Sequence, residues 1–323
     1  MKQMLKVLFS LLLGVQSLSA FAQVADFPSK PIRVYVGQGA GGGMDTQARI
    51  VAQRLSEKLG QAVVVENKVG AGGIIATEFV ARAAPDGYSL LMAPIGNMVF
   101  TPILSPKLKY APTKDFVPVS LVATFPLVLV VNAKSKINTV AELVAFMKAN
   151  PDKSNFGGSG AAFQFANELF KLKTGAPGEF IQYKSMSETI TALIAGDLVM
   201  SMVDTGPATT HINSGSLRAL AVTSPQRLAS MPQVPTMTEL GFKDIEFRYW
   251  SGFFAPAGTP KSVIKKLEAD MNQVLKQPEV IAQMAANQVV ATGSTSEELG
   301  KLVATDLVRW GAVADNAKMP KQE

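Results

Sequence analysis

Apolar side chains recur at every second position in Ile32-Arg33-Val34-Tyr35-Val36, the period of a β-strand. A glycine-rich loop follows over 37–43. Ala48, Val51, Ala52, Leu55 and Leu59 then return at helical spacing, which predicts a helix capped by Asp45 or Thr46 and stopped by Gly60. Ala62-Val63-Val64-Val65 is a continuous apolar run, as suits a parallel strand covered on both faces. The alternation continues with a helix over about 73–83 and strands over 89–92 and 127–131. Thr139 with Glu142 makes a capping box ahead of a helix carrying Leu143 and Phe146. Further strands are predicted over 179–182, 198–203 and 218–222. Near the C-terminus Thr259 and Pro260 open a helix whose face is Ile264, Leu267, Met271 and Leu275. Gln277-Pro278 opens another, and Ser294 with Glu297 a last one toward Asp315. Strand–helix alternation of this kind predicts an α/β fold with mainly parallel sheets flanked by helices.

The start of the chain departs from that pattern. Lys2 and Lys6 precede a short apolar run over 7–15, and Ala20-Phe21-Ala22 gives a small-x-small site before Gln23. This predicts a secretory signal peptide over 1–22, cleaved after Ala22, and export to the periplasm. The apolar run is too short to span a bilayer, which takes roughly 20 residues. Removing 22 of 323 residues leaves 301, and the two lysines lost bring the net charge from +6 to +4. A chain of that length exceeds the usual growth of a single core, so two lobes are expected. The basic residues are scattered rather than striped, which argues against nucleic acid. With no cysteine and a single histidine, His211, a thiolate or histidine metal site and a cysteine nucleophile are excluded.

The glycine loop carries the candidate chemistry. Gly37-x-Gly39-x-x-Gly42 sits between a strand and a helix, the context of a dinucleotide fingerprint. The same geometry suits any small anion, because glycines let backbone N–H groups approach and the helix N-terminus carries partial positive charge. A tight structural turn is the third reading. Export, the lack of a well-placed acid (Glu57 lies inside the helix, Glu66 is late) and the lack of an acid/base set weigh against a dinucleotide. No cofactor is expected.

Seven segments then occur in order: Phe27-Pro28-Ser29-Lys30-Pro31-Ile32-Arg33, Gly41-Gly42-Gly43-Met44-Asp45, Val64-Val65-Glu66-Asn67-Lys68-Val69-Gly70-Ala71-Gly72-Gly73, Ala84-Pro85-Asp86-Gly87-Tyr88-Ser89-Leu90-Leu91, Lys114-Asp115-Phe116-Val117-Pro118-Val119, Leu217-Arg218-Ala219-Leu220-Ala221-Val222-Thr223 and Phe254-Ala255-Pro256-Ala257-Gly258-Thr259-Pro260. Each alone is weak. Together, from about Phe27 to Asp315, they resemble the tripartite tricarboxylate transporter receptors, or Bug-type periplasmic binding proteins. The resemblance implies a two-lobe binding-protein fold (type II), with lobe 1 over 23–123 and 250–323, lobe 2 over 124–249, and ligand in a cleft that closes by hinge bending.

It also implies a monomeric, non-enzymatic receptor that binds a small organic carboxylate through main-chain N–H groups and waters, and serves membrane transporter subunits. Carried over by position, the first-lobe contacts are Gln38, Gly39, Ala40, Gly41, Met44, Asp45, Gly96 and Asn97. The second-lobe contacts are Ser159, Gly160, Ala161, Phe163, Tyr183 and Asp204.

Three departures bear on the ligand. Gly37-Gln38-Gly39 stands where members often carry an aromatic and prolines, the second-lobe loop is about two residues shorter, and Lys184-Ser185-Met186 replaces a usual glycine. Several of these residues have a plainer reading. Asp45 suits helix capping, Phe163 suits a core, and Tyr249 and Trp250 suit hinge packing. Asp204, if it touches ligand, favours a positive or donor group, and with a plain diacid it orders water instead. An exported dinucleotide-dependent enzyme and a sensor subunit for a signalling receptor are the competing functions.

Overall fold

The predicted strand–loop–helix start is present in the computed structural model, which describes residues 27–321. The signal peptide and its cleavage site fall in residues 1–26, outside the described residues. Strand β1 (Ile32–Val36) leads through the glycine loop into helix α1 (Gly43–Leu59), then β2 (Val63–Asn67), α2 (Ile74–Ala81) and β3 (Ser89–Pro94). A wide π-helical turn at Gly96–Phe100 precedes the 17-residue strand β4 (Phe116–Asn132). Next come α3 (Val140–Ala149), β5 (Phe156–Gly158), α4 (Ala161–Thr174), β6 (Phe180–Gln182), α5 (Met186–Ala195), β7 (Ser201–Asp204), α6 (Thr205–Asn213) and β8 (Leu217–Val222). Strand β9 (Arg248–Pro256) returns to α7 (Lys261–Leu275), α8 (Pro278–Ala286), β10 (Val290–Ala291) and the terminal helix α9 (Ser296–Asn316).

The class is α/β, and the pairing is mixed. β1 runs parallel to both β2 and β3, and β5 is parallel to β6. β9 is antiparallel to β3 and to β4, and β4 is antiparallel to β7, β8 and β10. The antiparallel part exists because β4 and β9 are long crossing strands rather than members of strand–helix–strand units.

Strand β4 changes partners partway along. Ala123 faces Ser251 and Ala291, whereas Val128 faces Val203 and Val222. Pro126, which has no N–H to give, sits at the change. Periodicity alone shows only 127–131 of this strand, because Pro118, Ser120, Thr124 and Pro126 break the apolar run.

Gly60 ends α1 in the left-handed conformation, its N–H bonded to the Ser56 carbonyl at 3.0 Å. Thr139 caps α3, accepting from the Glu142 N–H at 3.1 Å. Three caps differ from expectation. The residue preceding α1 is Gly42, and Asp45 lies in the first turn. Thr259 donates to the Pro256 carbonyl instead of capping, so α7 starts at Lys261. The capping box of α9 is Thr295 with Glu298, one residue late, because the Ser294 hydroxyl is held against β4 by the Leu121 N–H at 3.0 Å.

The two parts of the sheet share an aromatic seam. Trp310 of α9 meets Phe100 at 5.5 Å, Phe165 of α4 at 5.8 Å and Phe247 at 5.2 Å between ring centroids. Phe100 also stacks on Phe165 at 4.5 Å, and all four rings are buried. Beside them Trp250 of β9 donates to the Asp306 carboxylate at 2.8 Å.

Candidate functional site

Gly37 backs directly onto Gly73, so that a Cβ at residue 37 would lie 2.5 Å from the Gly73 Cα. The loop then turns with Gly41 at φ +79° and the Gly42 N–H on the Gly39 carbonyl at 3.1 Å. Asp45 clamps this turn. Its carboxylate accepts the Gly41 N–H at 2.8 Å, Arg49 Nε at 3.0 Å and Asn67 Nδ2 at 2.8 Å.

The Arg49 hydrogen bond, with help from Gly41 and Asn67, holds the Asp45 carboxyl down at about 2 against the opposing effect of burial. Asp45 is therefore committed to loop structure. A Gly37→Ala substitution meets backbone, which cannot swing away, and is expected to displace the 38–43 loop and weaken any ligand binding the loop supports by at least about tenfold. A titration alongside Gly39→Ala, where nothing lies within 4 Å of the added methyl, checks this.

Asn97 is similarly engaged. Its Nδ2 donates to the Gly72 carbonyl at 2.9 Å and its own carbonyl accepts Tyr110 Oη at 2.7 Å. Its amide thus ties the π-helical turn to the Gly70–Gly73 corner. Tyr183 packs its ring against Gly157, and burial together with the Asp197 charge raises its phenol. Ser159, Gly160 and Ala161 form the N-terminal edge of α4, where Gly160 is exposed with φ +91°. A Cβ at residue 158 would come within 2.5 Å of the Phe163 Cβ, so Gly158 lets Phe163 turn where it does.

A cavity of about 490 Å³ gathers the rest. One wall is Gln38 with Gly43, Met44 and Gln47 of α1, and the opposite wall is Asp204 with Thr205, Gly206 and Pro207 at the start of α6. Phe163, Phe125 and Tyr249 form its apolar side, and the 286–289 segment after α8 forms its rim. Ala40, Gly41 and Asp45 line an adjoining open groove, while Gly39, Gly96, Asn97, Ser159, Gly160, Ala161 and Tyr183 do not line the cavity.

Phe125 and Tyr249, paired across β4 and β9, stack at 4.5 Å and 22°. Gln288, in the left-handed region at φ +59°, approaches Gly206 closely, since a Cβ there would meet its Cγ at 3.1 Å. The two rims of the cavity touch at that point.

Polar groups in the cavity are oriented by their unshared bonds. Gln38 Oε1 accepts the Met44 N–H at 3.2 Å, which leaves the Gln38 NH2 as a donor. Gln47 is buried, and its Oε1 accepts the Ser251 hydroxyl at 2.7 Å. Burial pushes the Asp204 carboxyl up to about 6, and burial with the Asp204 charge raises the Tyr249 phenol.

A larger concavity, about 770 Å³, lies between α4 and α9; on its wall Lys173 pairs with Asp244 at 2.9 Å, and Arg309 donates to the main-chain carbonyl of Glu246. Among the described residues there is no cluster of three potential metal ligands and no helix long and apolar enough to cross a membrane.

Sequence reasoning omits Phe125, Gln47 and the 286–289 segment, and assigns Tyr249 to hinge packing. A signal exists for Gln47, a polar residue one helical turn after Met44 on the apolar face of α1. The 286–289 segment carries no pattern that points to the cavity.

The family profile described as tripartite tricarboxylate transporter family receptor (TctC) matches residues 47–319. Protein BugT of Bordetella pertussis is 34% identical over 312 residues, covering 96% of this chain and 96% of BugT. Among solved structures, periplasmic binding protein BugD superposes with a TM-score of 0.73 at 33% identity, covering 92% of this chain and 100% of that one. MatC of Rhodopseudomonas palustris with bound malate superposes with a TM-score of 0.72 at 28% identity, covering 89% and 99%.

Proposed function

Since the chain belongs to the tripartite tricarboxylate transporter receptor family, whose members are periplasmic solute-binding proteins and not enzymes, we propose that its solute is a small organic carboxylate, held in the 490 Å³ cavity and passed to a membrane transporter. The observation that carries the carboxylate is the α1 wall. Gly43, as the first residue of the helix, has no intrahelical partner for its N–H, and the Gln38 NH2 stands beside it. Backbone and amide donors at a helix N-terminus satisfy a carboxylate without an arginine. The malate seen in the MatC relative is a ligand of that chemistry.

The partner change of β4 near Pro126 and the return of β9 at Arg248 support two lobes, 23–123 with 250–323 and 124–249, that close around the solute by bending at these crossings. Export through a signal peptide cleaved after Ala22 fits that role. Isothermal titration of the mature chain with dicarboxylates, monocarboxylates, sugars and dinucleotides tests the reading. Saturable binding confined to carboxylates is expected, and 100 times the dissociation constant should stabilise the fold by about 2.7 kcal/mol. Binding of a sugar or dinucleotide with none among the acids would sink it.

A further inference from the structure

The concavity between α4 and α9 lies behind the crossing strands, and the 490 Å³ cavity lies in front of them. Phe125 and Tyr249 face the cavity, and the next side chain along a strand points the other way. Thr124 and Trp250 accordingly face backwards, where Asp306 of α9 accepts the Trp250 N–H. Three segments then pass from one side to the other through the aromatic seam. Along α4, Phe163 lines the cavity, Phe165 joins the seam, and Leu169 and Leu172 line the concavity. Before and into β9 the order is reversed, with Glu246 on the concavity, Phe247 in the seam and Tyr249 on the cavity. On α9, Trp310 is in the seam, and Ala312 and Val313 form the facing wall of the concavity.

The two hollows also differ in how far their walls have met. At the cavity the rims touch, Gln288 of lobe 1 against Gly206 of lobe 2. Behind the seam, the walls contributed by α4 and α9 stand apart over about 770 Å³, tied at one edge by Arg309 on the Glu246 carbonyl. Close-packed pieces that turn about a shared seam part on one side as they meet on the other. Resting on the two-lobe reading, we infer that the aromatic seam is the fulcrum of lobe motion and that the concavity between α4 and α9 opens and closes in opposition to the cavity. Opening the cavity brings the C-terminal turns of α4 and α9 together. Bulk that fills the concavity therefore holds the cavity closed, from a surface that no molecule in the cavity touches.

A wedge tests it. Ala312 is exposed on the concavity wall, so Ala312→Trp adds an indole there without entering the core. Ala304→Trp, also exposed on α9 but outside the concavity, is the control. The chain has no cysteine, so Gln53→Cys on α1 and Thr210→Cys on α6, both exposed, take a pair of spin labels that measures the span across the cavity. With no solute added, the otherwise wild-type protein should show a short and a long span. Ala312→Trp should raise the ratio of short to long by at least about tenfold, and Ala304→Trp should change it by less than about twofold. Near-ultraviolet circular dichroism shows that both variants are folded.

Two spans whose ratio Ala312→Trp leaves unchanged would overturn the inference and leave bending of the lobes standing. A shift toward the long span would also overturn it, since the two hollows would then close together. An equal shift with Ala304→Trp would overturn it by tracing the effect to α9 at large rather than to the concavity. A single span in the wild type, unmoved in both variants, would overturn it together with the two-lobe reading.

Discussion

Trp310→Ala should lower the free energy of unfolding by about 3–5 kcal/mol, the largest loss expected from any single substitution considered. The ring is buried against Phe100, Phe165 and Phe247, which come from three other segments, so no one neighbour can collapse into the space. Part of the cost is the edge-to-face contacts, which add to the area term. The indole N–H adds little, because Nε1 makes no well-formed hydrogen bond among the described residues and only faces the Asp306 carboxylate. Trp310→Phe should accordingly recover more than half of the loss. Urea unfolding checks both variants, with a lowered midpoint and an unchanged slope marking loss of packing rather than a change in the denatured chain. An effect below 1 kcal/mol would mean that the seam is loosely packed.

Asp204→Asn should stabilise the unliganded protein by about 2 kcal/mol at pH 8 and by almost nothing below about pH 3. The folded-state carboxyl titrates near 6, against an ordinary value of 3.8. The folded state therefore holds this proton more tightly than the unfolded one. Wild-type stability falls as pH rises from about 4 through 6, and the deficit is complete above that. Asparagine has no proton to lose, so the two melting curves coincide in acid and separate in base. The figure is discounted from the full shift because part of the carboxylate meets water in the cavity.

Asp45 has the reverse sign. Held at about 2, it stabilises the fold above pH 4, and that contribution disappears as pH falls toward 2. One acid is thus consumed by structure, whereas the other weakens the fold above its titration.

That distinction was not visible along the chain. Asp45 and Asp204 each precede or open a helix after an apolar strand, and spacing treats them alike. What separates them is Arg49 and Asn67, one helical turn and one strand away, which close on Asp45 and have no counterpart at Asp204. Local period sufficed for β1, for the apolar stripe of α1 and for Gly60, because those depend on residues within a turn or two. The ordered motifs placed the chain in its family. The cavity walls depend instead on pairing between Phe125 and Tyr249, far apart in sequence, and on a rim after α8 whose sequence shows no periodicity. Asn97 illustrates the other limit: it is expected at the site, but its amide is taken by the Gly72 carbonyl and it does not line the cavity.

The aromatic seam has an optical consequence. The chain contains two tryptophans, Trp250 and Trp310, and both are buried at the seam and its edge, not on the 490 Å³ cavity. Intrinsic emission therefore reports the joint and not the pocket. A solute that turns the two parts of the molecule about an intact joint will bind with the emission maximum unmoved, and one that loosens the joint will announce itself by a red shift.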